Sequence, residues 1–109
     1  MNNSKMFKLE IFAPETHFRM IQDSLQAAGA GRIGCYDCCL AYSHVTGAWR
    51  PLEGSSPFIG KTGERCEEPE VKIEVNVTDD RLEETIKAIR AVHPYEEPLI
   101  NVIPLIYTK

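Results

Sequence analysis

Val71, Ile73, Val75 and Val77 alternate with Lys72, Glu74 and Asn76, and then the period changes within a few residues. Strict alternation marks a strand with one buried and one polar face. Leu82, Ile86 and Ile89 then recur at helical spacing, so a second-half helix begins near Thr78 to Asp80. Asp80 and Glu83 have capping-box spacing, and Glu83 with Lys87 forms a favourable i, i+4 pair. Pro94 ends this helix by disfavouring helical geometry at His93. The apolar run Leu99 to Tyr107 follows as a strand, and Pro104 within it points to a sheet edge.

The first half of the chain repeats that order. Lys5 to Ala13 reads as a strand with Phe7, Leu9 and Ile11 on one face; Phe12 breaks the pattern and suggests that the other face is covered too. Pro14 suits a helix start, and Phe18, Ile21, Leu25 and Ala28 make one helical face. Tyr36 to Val45 reads as a strand, Thr46-Gly47 as a turn, and Ala48 to Leu52 as a returning arm. Glu53 to Gly63, rich in Gly, Ser and Pro, is the longest irregular stretch and the natural mobile or partner-facing loop. Two strand–helix–strand halves laid side by side form the split βαβ plan. The expected fold is α+β and ferredoxin-like: an antiparallel sheet with two helices on one face, plus an extra hairpin. The open sheet face needs a cover, for which another subunit is the expected source.

Gly29-Ala30-Gly31-Arg32-Ile33-Gly34 matches a dinucleotide-binding fingerprint letter by letter. That fingerprint works only where the glycines follow a strand and open a helix, so that free N–H groups meet a pyrophosphate. Here a helix runs into the glycines and a strand follows. Gly29 is instead a ready left-handed cap for the first helix.

With 109 residues the chain has room for one domain, residues 1–109, of which the polar residues 1–4 read as disordered. The net charge is −4 and the twelve Lys and Arg are scattered, which argues against nucleic acid and anionic membranes as partners. With neither a spanning segment nor a signal core, the expected setting is soluble and cytoplasmic. In that setting Cys35, Cys38, Cys39 and Cys66 are thiols rather than a disulfide framework.

Few residues stand out as chemistry. Cys35 and Cys38 have a metal-ligand spacing, but only the isolated Cys66 and His44 are available to complete a site, and an alternating strand would turn Cys38 away from Cys35 and Cys39. His93-Pro94-Tyr95-Glu96-Glu97-Pro98 is the densest polar cluster. His93 with Glu96 or Glu97 makes either metal ligands or an acid–base pair; alternatively, His93 caps a helix end, the prolines stiffen a turn and the carboxylates are solvated. Arg32, between glycines, is placed to meet an anionic ligand at a subunit cleft or a neighbour's Glu97, or is a plain surface arginine. Trp49, Arg50 and Phe58 either line a binding loop or serve packing. No serine–histidine–acid set assembles, and Gly60-Lys61-Thr62 lacks the upstream glycine of a phosphate loop.

The glycine hexad with Tyr36, Cys39, Gly47, Arg50-Pro51-Leu52-Glu53-Gly54, Pro57-Phe58-Ile59-Gly60 and Glu68 resembles the middle domain of the YqfO (Nif-three-like) family. His93 to Pro98 resembles the motif ending the second helix of that domain and of CutA-type divalent-cation-tolerance proteins. Together these motifs cover about residues 5–106. The resemblance implies a stand-alone PII/CutA-like domain that assembles as a trimer. In full-length relatives the domain sits between two halves carrying dinuclear-metal ligands, sometimes labelled a GTP cyclohydrolase type 2-like hydrolase; none of those metal-site residues has a counterpart here.

Three functional readings follow. The first is a non-catalytic, oligomeric ligand-binding or regulatory module whose site includes Arg32, His93, Tyr95, Glu96 and Glu97, with a small anion or a protein as partner. The second is a divalent-metal protein of cation homeostasis, with His93, Glu96, Glu97, Cys35 and Cys39 as candidate ligands and copper or zinc as the favoured metals. The third, a hydrolase, needs a borrowed metal or a partner chain.

Overall fold

In the computed structural model, which describes residues 5–107, the chain follows the order β1 (Met6–Pro14), a 3-10 turn (Glu15–His17), α1 (Phe18–Ala28), β2 (Ala41–Trp49), β3 (Cys66–Thr78), α2 (Asp79–Val92) and β4 (Ile100–Leu105). The expectation for residues 1–4 falls outside the described residues. The four strands form one sheet in the order β2-β3-β1-β4. Neighbours are antiparallel throughout, so β1 runs parallel to β2, and β3 to β4, each pair bridged by a helix. This is the expected ferredoxin-like plan, with β4 at an edge.

Alternation puts the core on one side. Leu9, Ile11 and Ala13 of β1 and Val71, Ile73, Val75 and Val77 of β3 are buried beneath Ile21 and Leu25 of α1 and Ile89 of α2. Thr85, the one buried hydroxyl in α2, donates to the Arg81 carbonyl at 2.7 Å and so enters the core without an orphaned group. The opposite face is not apolar at its centre. Glu10 and Glu74 stand directly across from each other, an unfavourable pairing taken alone. Lys8 bridges both, and Lys72 lies 3.7 Å from Glu10. Burial pushes the Glu10 carboxyl up, but Asn101, Lys8 and Lys72 together hold it below the usual carboxylate range.

The second strand corrects the sequence reading. Residues 36–40 are irregular, so the alternation argument for Cys38 does not apply. β2 runs unbroken through Thr46-Gly47, where a turn was expected. The extra hairpin is thus the far part of the β2–β3 pair, closed by residues 50–65, with Thr46 to Trp49 pairing back to Pro69 to Cys66. Because β1 ends opposite Glu70, this arm runs on past the rest of the sheet, and the molecule measures 52 × 22 × 21 Å. At the other end of the sheet Met6 pairs with both Thr78 and Leu105.

Helix ends follow local chemistry. Gly29 adopts φ 89° and caps α1, its N–H donating to the Gln26 carbonyl at 3.1 Å. His93 leaves helical geometry at ψ 130°, as Pro94 requires. At the start of α2 the cap position belongs to Thr78, whose hydroxyl bonds the Asp80 carboxylate, so Asp80 does not serve as a capping-box residue. Gly31 continues the β3 ladder beyond the start of β2: its N–H donates to the Asn76 carbonyl (2.8 Å) and its carbonyl accepts from Cys39 (2.9 Å). A Cβ there would lie 2.6 Å from the Cys39 oxygen, whereas at Gly29 the nearest atoms belong to Arg81 at an ordinary 3.6 Å. The two conspicuous glycines thus cap a helix and admit a backbone neighbour.

Gly29→Ala should cost about 1 kcal/mol through its left-handed φ alone. Gly31→Ala, which adds a backbone overlap, should cost roughly 2–3 kcal/mol. Urea unfolding at unchanged slope measures both, and the opposite order would contradict the close approach.

Candidate functional site

At the end of the sheet where the arm leaves, β1 outlasts β4. The last β4-side bond reaches the Phe12 N–H, which donates to the Leu99 carbonyl at 3.2 Å. The Phe12 carbonyl then has no strand partner on that side. His93, placed there by the end of α2, donates its Nε2–H to it at 2.7 Å. The other ring nitrogen, Nδ1, accepts the Tyr95 backbone N–H at 3.2 Å. Both bonds specify one neutral tautomer. Burial depresses the His93 pKa, with His17 helping; the bond to Phe12 and the nearby Glu70 carboxylate oppose it. His93 is therefore a bracket between helix and strand, with neither ring nitrogen directed at open space.

The turn that His93 anchors carries Tyr95 over the arm. The Tyr95 hydroxyl donates to Glu70 Oε2 at 2.7 Å. Its ring lies 5.5 Å from Trp49, 6.2 Å from Phe58 and 5.0 Å from His93, centroid to centroid. Burial, and then the Glu70 carboxylate, raise the phenol pKa, so the hydroxyl stays a donor. Glu70 is only 5% exposed. Its carboxylate lies across Gly47 so closely that a Cβ at that position would overlap it. That contact explains the glycine misread as a turn: mid-strand glycine marks close approach of another group.

These residues surround a cavity of about 610 Å³, within the range of small-molecule sites. By register Phe12, Val45, Gly47, Trp49 and Glu70 share the sheet face turned away from the helices. The 50–65 connection folds back over them: Trp49 Nε1–H donates to the Ile59 carbonyl at 3.2 Å, and Phe58 packs edge-on to His17 at 5.7 Å. Glu96 ties the two loops together by accepting the Ser56 N–H at 2.9 Å, and Glu97 and Arg50 lie at the cavity wall.

Tyr95, Glu96 and Glu97 are therefore brought to one place, with Trp49, Arg50 and Phe58 beside them. Arg32 is not. It flanks a shallow depression of about 140 Å³ with Met6, Thr78 and Arg81, at the opposite end of the sheet. The length of β1 separates the two, roughly 25 Å at 3.3 Å per residue. Among the described residues no three His, Cys, Asp or Glu side chains are grouped to hold a metal ion. Cys35 is exposed in a turn, and Cys39 lies beside Gly31, far from His93 and Glu96. All four cysteines are free. Burial raises the thiol pKa of Cys38, with Asp37 adding to it, and that of Cys66, with Glu68 adding, which makes both less reactive. Glu70 escaped the sequence reading: it sits in an ordinary β3 pattern, and only its side-chain contacts with Gly47 and Tyr95, distant in sequence, mark it.

No helix is long and apolar enough to cross a membrane among the described residues. Residues 58–109 match the family model described as CutA1 divalent ion tolerance protein. A GTP cyclohydrolase 1 type 2 homolog from Halalkalibacterium halodurans is 42% identical over 100 residues, covering 92% of this chain and 27% of that protein. The crystal structure of a Bacillus cereus protein related to NIF3 superposes with a TM-score of 0.86 at 34% identity, over 98% of this chain and 27% of the other. The chain thus spans about a quarter of the length of the relatives it matches in sequence. Divalent ion tolerance protein CutA1 from Ehrlichia chaffeensis is similar in fold (TM-score 0.72, 19% identity, covering 99% of this chain and 88% of that one). So is the Bacillus subtilis GlnK-ATP complex (TM-score 0.64, 19% identity, 93% and 82%). The fold is PII/CutA-like.

Neutral His93 stabilises the folded state fully above the usual pKa of 6.5, because only the unfolded chain takes up its proton readily. That stability drains away as pH falls below 6.5 toward the folded-state value. The urea midpoint should decline over this window, and the His93 ring resonance should titrate below pH 6.5; a midpoint above it would contradict the bracket.

Proposed function

We propose that this chain, a relative of one quarter of the GTP cyclohydrolase 1 type 2 homologs with the fold of CutA1 and GlnK, is a non-catalytic, oligomeric ligand-binding or regulatory module. The observation that carries the reading is the cavity of about 610 Å³ between the arm, the 50–65 connection and the His93 turn. Its walls are largely aromatic and aliphatic, with few polar groups converging on it, which is how small-molecule sites are built. None of those groups forms a nucleophile–base pair. Glu70 is engaged by Tyr95, and His93 has both nitrogens occupied.

The 50–65 connection is the reporter of occupancy. It contributes Pro51, Phe58 and Ile59 to the cavity and is held to the His93 turn through the Ser56–Glu96 bond. A ligand that displaces Phe58 or Glu96 changes the outer surface of this loop, where a partner protein would read it.

Oligomerisation is supported by what the fold leaves uncovered. Val102 and Ile103 on edge strand β4 and Ile106 just beyond it are exposed, and such edges invite a further chain. A trimer is the assembly we favour. Within it, Arg32 joins the cavity only from a neighbouring copy, which would unite both ends of the sheet in one inter-subunit cleft.

The single tryptophan, Trp49, lines the cavity and makes the test direct. Native mass spectrometry should show a multiple of 12.3 kDa, with any co-purified ligand. In a screen of nucleotides, small anions and small apolar compounds at physiological salt, a ligand should shift Trp49 emission saturably, and Tyr95→Phe should weaken it about five- to tenfold. A single subunit at micromolar concentration, with no compound moving the emission, would overturn the proposal.

A further inference from the structure

We infer that the ligand of this cavity is an organic cation: an ammonium or guanidinium group carried on an apolar body. The inference rests on the ligand-site reading and names the chemistry that site would select.

Three observations converge on it. The first is Glu70. Its side chain is 5% exposed; Oε2 is taken by the Tyr95 hydroxyl, and Oε1, lying over Gly47 at the cavity wall, carries no hydrogen bond among the described residues. No Lys or Arg lies within ion-pair distance of it among those residues. Oε1 is not an orphaned buried atom but an acceptor that opens on the cavity, and a cation arriving there would meet a carboxylate oxygen that no protein group already occupies.

The second is the ring arrangement. The Tyr95 ring stands 5.5 Å from Trp49 and 6.2 Å from Phe58, centroid to centroid, and all three rings line the cavity that Glu70 also lines. Aromatic faces carry negative potential, and several rings beside a carboxylate form the recognised geometry for an ammonium group. The third is the sign of the remaining charge. Glu96 and Glu97 line the same cavity, against Arg50 as the one cation among its lining residues. An anion placed there would meet three carboxylates; a cation meets them favourably. The aliphatic wall of Val45, Pro51, Ile59 and Leu99 asks for an apolar body behind the charged group. A bare metal ion would find neither a set of three ligands nor a use for that wall.

Three probes of similar shape decide the matter on the unaltered protein: benzyltrimethylammonium, benzyl alcohol and benzoate, titrated at matched ionic strength against Trp49 emission. The ammonium should bind at least about tenfold tighter than the alcohol, with benzoate weakest. Glu70→Gln keeps an acceptor for Tyr95 and should remove the preference for the ammonium over the alcohol. Circular dichroism establishes that the variant folds, and if it does not, the ranking of the three probes still decides. Equal affinities, or benzoate as the tightest, would overturn the cation inference while leaving a ligand site in place. No response to any probe would count against the cavity as a ligand site altogether.

Discussion

The pairing of β1 with β3 is the constraint on which everything else rests. Nine residues of β1, Met6 to Pro14, face Thr78 to Glu70 without a slip, so each strand presents its Val, Ile and Leu side chains to the helices together. A shift of β1 by one residue would turn Lys8 and Glu10 toward the helices in place of Leu9 and Ile11. The charge ladder on the far face reinforces the register, because the Glu10–Glu74 pair is tolerable only with Lys8 and Lys72 in their present positions. The same pairing ends at Glu70, and its end defines where the arm begins and where the cavity lies.

From there the site follows through unsatisfied groups finding partners. β1 extends beyond β4, leaving the Phe12 carbonyl to be met by the His93 ring. The ring in turn holds the Tyr95 backbone, and the Tyr95 hydroxyl reaches Glu70. Glu70 can lie flat across β2 only because position 47 has no side chain. The chain of contacts runs from a strand end to a buried carboxylate, and each link is a group that would otherwise be orphaned.

Local signals carried most of the architecture. Alternation at Val71 to Val77, the helical spacing of Phe18 to Ala28, Gly29 as a cap and Pro94 as a stop each act over a few residues and are visible in the chain itself. Gly47 was misread because a glycine beside a threonine has the same local appearance in a turn as beneath a side chain 23 positions away. Cys38 was misplaced for a related reason: residues 36–40 have strand-like composition, but the close approach of Gly31 to Cys39 takes them out of the ladder. The polar motif His93 to Glu97 was legible as a cluster, and its assignment to bracket and wall was not, since that depends on where β1 ends. Arg32 and His93 sit at opposite ends of the sheet, a separation that no spacing in the sequence expresses.

One feature of the sheet bears on how such a unit can be used. Met6 and Leu105 are paired neighbours, so the polypeptide enters and leaves the fold side by side at one end, while the cavity lies at the other. A unit built this way can be spliced into the loop of a host protein without prising the host apart, like a bead hung from two adjacent threads. The end that carries the cavity then points away from the point of attachment, so the two strand ends that would join it to a host stay clear of the cavity.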